Sequence, residues 1–164
     1  MNKEQGLTTE PAIGHDAIGL LTADHRKVQA LFDEYERSSG SPEEKFEIAK
    51  TVCGEVLIHM AIEEAIFYPA VRQYVRDDDL VNQAEVEHEG AKEIIRQLGD
   101  IKPDDPIFHA KMTVLAEQVN HHVQEEEQSM FPKVLLSGAD IVTLGKELLT
   151  AKNEMRTNLG LPVD

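Results

Sequence analysis

The chain has 164 residues, enough for one domain with its own core, and its 41% hydrophobic residues include only 5% aromatics and no Trp, a balance that suits a helical bundle of Leu, Ile, Val, Ala and Met. A formal charge of −15 argues against nucleic acid and against an anionic membrane surface as partners, because their phosphates would be repelled. No basic-plus-apolar leader and no long uncharged apolar run occur, so neither a signal peptide nor a membrane span is expected; with a single cysteine, Cys53, no internal disulfide can form and the cytoplasm is the default compartment.

Residues 1–14 contain Gly6, Pro11 and Gly14 without periodicity and read as a loose arm. Helix 1 is predicted from about Asp16 to Arg37, with Leu21, His25, Val28 and Phe32 on one stripe, until Ser38-Ser39-Gly40 breaks the pattern. Helix 2 opens on Ser41 as N-cap, Pro42 in the first turn and Glu44 completing a capping box. Its inward stripe is Val52, Val56, His59, Glu63 and Ile66, and Pro69 inside the continuing pattern predicts a kink with a free carbonyl near Ala65.

The run Arg76-Asp77-Asp78-Asp79 makes the next turn and caps helix 3, whose stripe is Val81, Ala84, His88, Ala91, Ile95 and Leu98. Helix 4 starts at Asp105-Pro106 with Phe108, Met112, Leu115, Val119, His122, Glu126 and Met130 facing inward, and ends at Ser137-Gly138. A fifth helix, about Asp140 to Leu159, carries Ile141, Leu144, Leu148 and Met155 and is expected on the outside of the bundle. The predicted architecture is all-α: an arm over 1–14, an up-down-up-down four-helix bundle over 15–137, and a packed C-terminal helix within 138–164.

The bundle is internally repeated. His88 follows His25 by 63 residues, and His122, Glu126 and Pro132 follow His59, Glu63 and Pro69 by the same interval. The residue before the first His is acidic in both copies, Asp24 and Glu87. Residues four apart share a helix face, so His59 with Glu63, and His122 with Glu126, each aim an imidazole and a carboxylate at one point. His25 and His59 lie equally far from the Ser41-Pro42 turn, and His88 and His122 from the Asp105-Pro106 turn, which puts each pair level.

Four His and two Glu inside an apolar bundle form a costly group unless cations fill it. Imidazole with carboxylate suits iron, zinc or manganese. The repeat suggests two metals related by a pseudo-twofold axis, bridged by Glu63 and Glu126, with room for an oxo or hydroxo bridge and an exogenous ligand. His121 with Glu125 is the competing register; the repeat and the apolar stripe both select His122 with Glu126.

The order His, His-x-x-x-Glu, His, His-x-x-x-Glu over about residues 16–136, with the opening run DAIGLLTADHRKVQALFDEYE, resembles the hemerythrin-like (HHE cation-binding) family. The resemblance implies a non-haem centre of two iron ions, oxo- or hydroxo-bridged, held by His25, His59, Glu63, His88, His122 and Glu126; by analogy His25 would pair with His122, and His59 with His88, while the sequence itself leaves pairing within each hairpin equally open. Where oxygen-carrying hemerythrins have a further His one turn into helix 3, this chain has Lys92, and it has Glu127 beside Glu126 where they use Asp. The pattern is closer to the family's bacterial members, including the iron-cluster-repair type, although no Cys-bearing domain precedes the helices here.

Two functions follow as expectations. The first is binding or sensing of O2, or of the related small ligands NO and peroxide; the second is an enzyme at the same centre that decomposes peroxide, reduces NO or repairs iron centres. Iron storage ranks lower, because ferritin-like bundles use Glu-x-x-His and the order here is reversed. His15, His109 and His121 read as surface residues, Tyr35 as core, and Cys53 as a small buried hydrophobe. Glu64 and Glu127 read as solvated flanks that could hydrogen-bond a ligand His, the head of Lys92 as solvated, and Tyr68, the counterpart of Phe131, as needing no hydroxyl.

Overall fold

A computed structural model of the chain describes residues 15–164. The arm expected over residues 1–14 lies outside the described residues. Helix α1 spans Ala17–Arg37 and is capped by Asp16, whose carboxylate accepts the Gly19 N–H at 2.8 Å. Helix α2, Pro42–Ile62, starts with the expected capping box between Ser41 and Glu44. It runs into a π-helical turn, Glu63–Phe67, and then α3, Tyr68–Tyr74. Helix α4, Asp78–Leu98, is capped by Asp77. The same sequence of elements then repeats: α5, Pro106–Glu125, capped by Asp105; a second π turn, Glu126–Met130; and α6, Phe131–Leu136. Gly138 at φ 80 provides the left-handed residue that ends α6, and Asp140 caps α7, Ile141–Asn158.

The four rods of the bundle are α1, α2 with α3, α4, and α5 with α6. Consecutive rods pack as antiparallel neighbours, and α7 lies against α1, α2 and the first π turn. Two apolar cores occupy the two halves of the bundle. One, toward the hairpin turns, contains Val28, Phe32, Tyr35, Val52, Val56, Met112 and Leu115. The other, toward the opposite end, contains Leu21, Ile62, Phe67, Val71, Val81, Phe131, Val134 and Leu148. The four repeat histidines lie in the layer between them.

Three expectations need correction. The kink predicted at Pro69 is absorbed by a π turn: the Tyr68 N–H bonds the Glu63 carbonyl, and Phe131 does the same to Glu126. Proline has no N–H to give and its ring collides with the carbonyl four residues back, so a wider turn just upstream accommodates Pro69 and Pro132. The extra residue per turn also shifts the inward register, so Phe67 and Tyr68 are buried while Ile66 is only half-buried.

The third correction is on α7. Its most deeply buried face runs Leu144, Gly145, Leu148, Lys152 and Arg156, ending in two cations, while the expected Ile141 and Met155 pack half-buried beside the core. Leu144, Leu148, Lys152 and Arg156 fall on one i, i+4 row, and the two cations are tolerated because carboxylates meet them. Lys152 bonds Asp24 at 2.6 Å, and Arg156 Nη1 lies 2.8 Å from both Glu55 oxygens.

Gly145 lets α7 approach the start of α1. A Cβ there would stand 2.6 Å from the His15 carbonyl oxygen and the Asp16 carbonyl carbon, whereas one on Gly54 would meet nothing within 4 Å. Ordinary helix propensity favours Ala over Gly by about 1 kcal/mol. Urea denaturation should therefore give opposite signs: Gly54→Ala stabilises by about 0.5–1 kcal/mol, and Gly145→Ala destabilises by about 1–3 kcal/mol through overpacking. A stabilising Gly145→Ala would refute the close approach of α7.

Candidate metal centre

All six side chains singled out by the repeat converge, each no more than 7% exposed. His25 Nε2 and His59 Nε2 are 3.1 Å apart, and so are His88 Nε2 and His122 Nε2. The histidines therefore pair within each hairpin, at equal heights from its turn, and not crosswise as the family analogy implied. Glu63 and Glu126 each reach both halves. Glu63 Oε1 lies 3.1 Å from His59 and its Oε2 3.3 Å from His88; Glu126 Oε2 lies 3.2 Å from His25 and its Oε1 3.5 Å from His122. Two groups are placed to hold a metal ion, His25 with His59, Glu63 and Glu126, and Glu63 with His88 and His122; within each group one donor atom per residue falls within 4.8 Å of the others.

A ring of outer carboxylates orients the imidazoles. Nδ1 of His25, His88 and His122 each lies 2.8 Å from an oxygen of Glu127, Glu64 and Glu87 respectively, and Nδ1 of His59 lies 3.4 Å from Asp24. This ring obeys the repeat: Glu127 with His25 maps onto Glu64 with His88, and Asp24 with His59 onto Glu87 with His122. A carboxylate is an acceptor only, so it draws the imidazole proton to Nδ1 and turns the Nε2 lone pair inward. Two inward lone pairs 3.1 Å apart repel unless a cation or a proton lies between the donors.

The inner carboxylates state the same demand. Glu63 Oε1 and Glu126 Oε2 are buried without a hydrogen-bond partner among the described residues. Each is close to an imidazole nitrogen, but the contact is not aligned as a hydrogen bond. Leaving a buried charged acceptor unmet costs roughly 1–3 kcal/mol or more. These orphaned atoms and the nitrogen–oxygen donor set fit a metal ion well.

Without a metal, protons take its place. Burial opposes charge on His59, yet Glu63, Asp24 and Glu126 lift it to about 10. Burial likewise opposes the charged form of Glu63, but His59, His122 and His88 hold its carboxyl well below the ordinary range. His122 is held well above its ordinary value, against burial, by Glu126, Glu63 and Glu87.

The structure adds a residue that sequence reasoning dismissed. The Tyr68 hydroxyl sits inside the cage, 3.0 Å from Glu126 Oε1, 3.1 Å from His88 Nε2 and 3.5 Å from His122 Nε2. Burial and the two inner carboxylates push this phenol well above its ordinary value, so it stays protonated and donates to Glu126. Its repeat partner, Phe131, instead stacks on His25, with centroids 5.7 Å apart. The missing signal was symmetry itself: a tyrosine opposite a phenylalanine predicts no shared role.

The surroundings of the outer ring also differ from expectation. The Lys92 head is not free but bonds both Glu64 oxygens at 2.6 and 2.7 Å, and Arg26 bonds Glu127 at 2.7 Å. Asp24 and Glu87 were visible as a repeated acidic position, although their contact with the histidine of the neighbouring helix needed coordinates. His15, His109 and His121 are exposed as expected, Tyr35 is buried, and Cys53 is half-buried with its thiol pushed up to about 11 by burial.

A helical bundle enclosing a twofold-repeated His and Glu cage is the class that fold and site define. The Hemerythrin HHE cation binding domain matches residues 16–134, and the chain belongs to this family. Among solved structures it is similar to a hemerythrin HHE cation binding domain-containing protein from Mycobacterium kansasii, with a TM-score of 0.75 and 21% identity over 87% of this chain and 88% of that one, a likeness in fold. A curated relative from Nostoc sp. (strain PCC 7120), named a DNA nickase, is 28% identical over 143 residues; these are 86% of this chain but only 40% of the relative's length. No described helix is long and apolar enough to cross a membrane.

A metal ion entering the cage must displace the proton on His59. The folded value of about 10 lies above the ordinary 6.5, so protonation stabilises the metal-free fold fully below pH 6.5 and that contribution is lost as pH rises through about 10. Metal and proton compete, and metal uptake releases protons. The rise in Tm on adding Co2+ should therefore be larger at pH 8.5 than at pH 6.0. A rise independent of pH would contradict this competition.

Proposed function

We propose that the cage holds two non-haem iron ions and that the protein binds or senses O2 or a related small ligand, NO or peroxide, beside them. His25 with His59 would hold one ion and His88 with His122 the other, with Glu63 and Glu126 bridging. Iron in this setting supplies redox chemistry and open coordination positions. The observation that carries the reading is a cavity of about 20 Å³ against the four imidazoles, lined mostly by Val28, Val56, Met60, Ala91, Val119 and Val123, with Glu87 and Gln118 as the other polar residues. Such a space admits one or two atoms' worth of ligand the size of water and little more, and its apolar walls favour a weakly hydrated diatomic over a charged substrate. The imidazoles orient the ions, the outer carboxylates lock the imidazoles, and the apolar walls exclude bulk water.

Peroxide decomposition is a second reading, favoured by Tyr68. Its hydroxyl is a protic group inside the cage, able to donate a proton toward Glu126. Nitric oxide reduction or iron-centre repair draws on the same site without a further observation in its favour, and the reversed His-x-x-x-Glu order still counts against storage.

The charge of −15 supports the reading that nucleic acid is not a ligand of this domain. The single Cys53 is compatible with a reducing cytoplasm.

Anaerobic purification followed by metal analysis should find about two irons per chain, and NO or O2 added to the reduced protein should change its absorption spectrum reversibly, with no such change in the zinc-loaded form. Irreversible oxidation without a ligand-bound state would discard the binding reading. Oxygen evolution from added peroxide above that of free iron, lowered more than about tenfold in Tyr68→Phe at unchanged iron content, would establish the enzymatic one; that loss corresponds to about 1.4 kcal/mol in the barrier.

A further inference from the structure

The two halves of the cage differ in one buried cation. Glu127 and Glu64, related by the repeat, are each backed by a partly exposed cation, Arg26 and Lys92. Asp24 and Glu87 are also related by the repeat, but only Asp24 has such a partner. Lys152 of α7 is 4% exposed and its Nζ bonds Asp24 Oδ1 at 2.6 Å. Among the described residues no Lys or Arg pairs with Glu87, whose neighbours are His122, the Gln83 amide and the exposed His121. The histidine contacts of this pair also differ, Asp24 being one methylene shorter than Glu87 as well as bound to a buried lysine. Glu87 stands 2.8 Å from His122 Nδ1, whereas Asp24 stands 3.4 Å from His59 Nδ1.

We infer that Lys152 is a positioning residue that weakens the carboxylate support of His59, so that α7 tunes the metal affinity of the His25–His59 half of the cage and leaves the His88–His122 half alone. The inference rests on the metal reading above. Its physical basis is general. A carboxylate on the far nitrogen of a ligand imidazole raises that ligand's basicity, and altering such an outer partner typically changes metal affinity by 10–100-fold. A lysine drawing on the same carboxylate reduces what reaches the imidazole. Asp164 also bonds Lys152, so the lysine is shared between Asp24 and the segment that follows α7. The family match ends at residue 134, before α7 begins, so this control lies outside the matched domain.

The direction of the effect separates tuning from scaffolding. Titration of the metal-free chain with Co2+, followed by its absorption bands, gives the affinities of the wild type, Lys152→Met, Lys152→Arg, Asp24→Asn and the double variant Asp24→Asn with Lys152→Met, each checked for folding by circular dichroism. Lys152→Met should bind the ion of the His25–His59 half about tenfold more tightly, Lys152→Arg should stay near wild type, and the gain should vanish when Asp24 is already Asn. A lysine that only holds α7 in place would show weaker or unchanged binding in Lys152→Met, and that result overturns the inference, as does a gain that survives in the Asp24→Asn background. If the wild type takes up no Co2+ at all, the metal reading falls and this inference with it.

Discussion

Two carboxylates and four imidazoles are confined to one layer of a bundle whose layers on either side are hydrocarbon. They are almost wholly buried, so bulk water screens their charge little, and the backbone of a helix has no free donors to offer them. The layer is stable only if positive charge fills it. In the metal-free chain protons do this, at the cost of holding His59 charged to about pH 10. A cation that takes their place meets orphaned oxygens on both Glu63 and Glu126. The remainder of the structure can be read as the means of keeping that layer dry, level and correctly protonated.

Keeping it level is the work of the hairpins and the π turns. Each pair of histidines stands equidistant from a short turn with a strong cap, so the Ser41 and Asp105 caps act on the site from far away. The π turns begin at Glu63 and Glu126 themselves. By inserting one residue into the ladder they swing Phe67 and Tyr68, and on the other rod Met130 and Phe131, under the cage. Prolines downstream of each turn make the ordinary α-helical alternative unfavourable.

The cage is an internal repeat with two unlike halves. The outer carboxylates still obey the repeat, histidine for histidine. Tyr68 against Phe131 breaks it from within, placing a hydroxyl on the His88–His122 side and a bare ring on the other. Lys152 breaks it from without, through a helix that has no counterpart in the repeat. A cage with inequivalent halves offers two unlike sets of donors, which a symmetric one cannot do.

Most of the architecture and the six inner residues were legible in the linear chain, because helix caps, apolar periodicity and an exact tandem interval are local or arithmetical signals. They determined the helices, the hairpins, the level pairing of His25 with His59 and of His88 with His122, and the family. What only the tertiary structure decided concerns contacts between rods. The π turns depend on how a proline is relieved within a packed helix, and the place of Tyr68 depends on the register they shift. The meeting of Asp24 with His59, and of Lys152 with Asp24, joins residues 35 and 128 positions apart. No periodicity carries such pairings, since a charged residue on an apolar row reads as an error until its partner on another helix is in view.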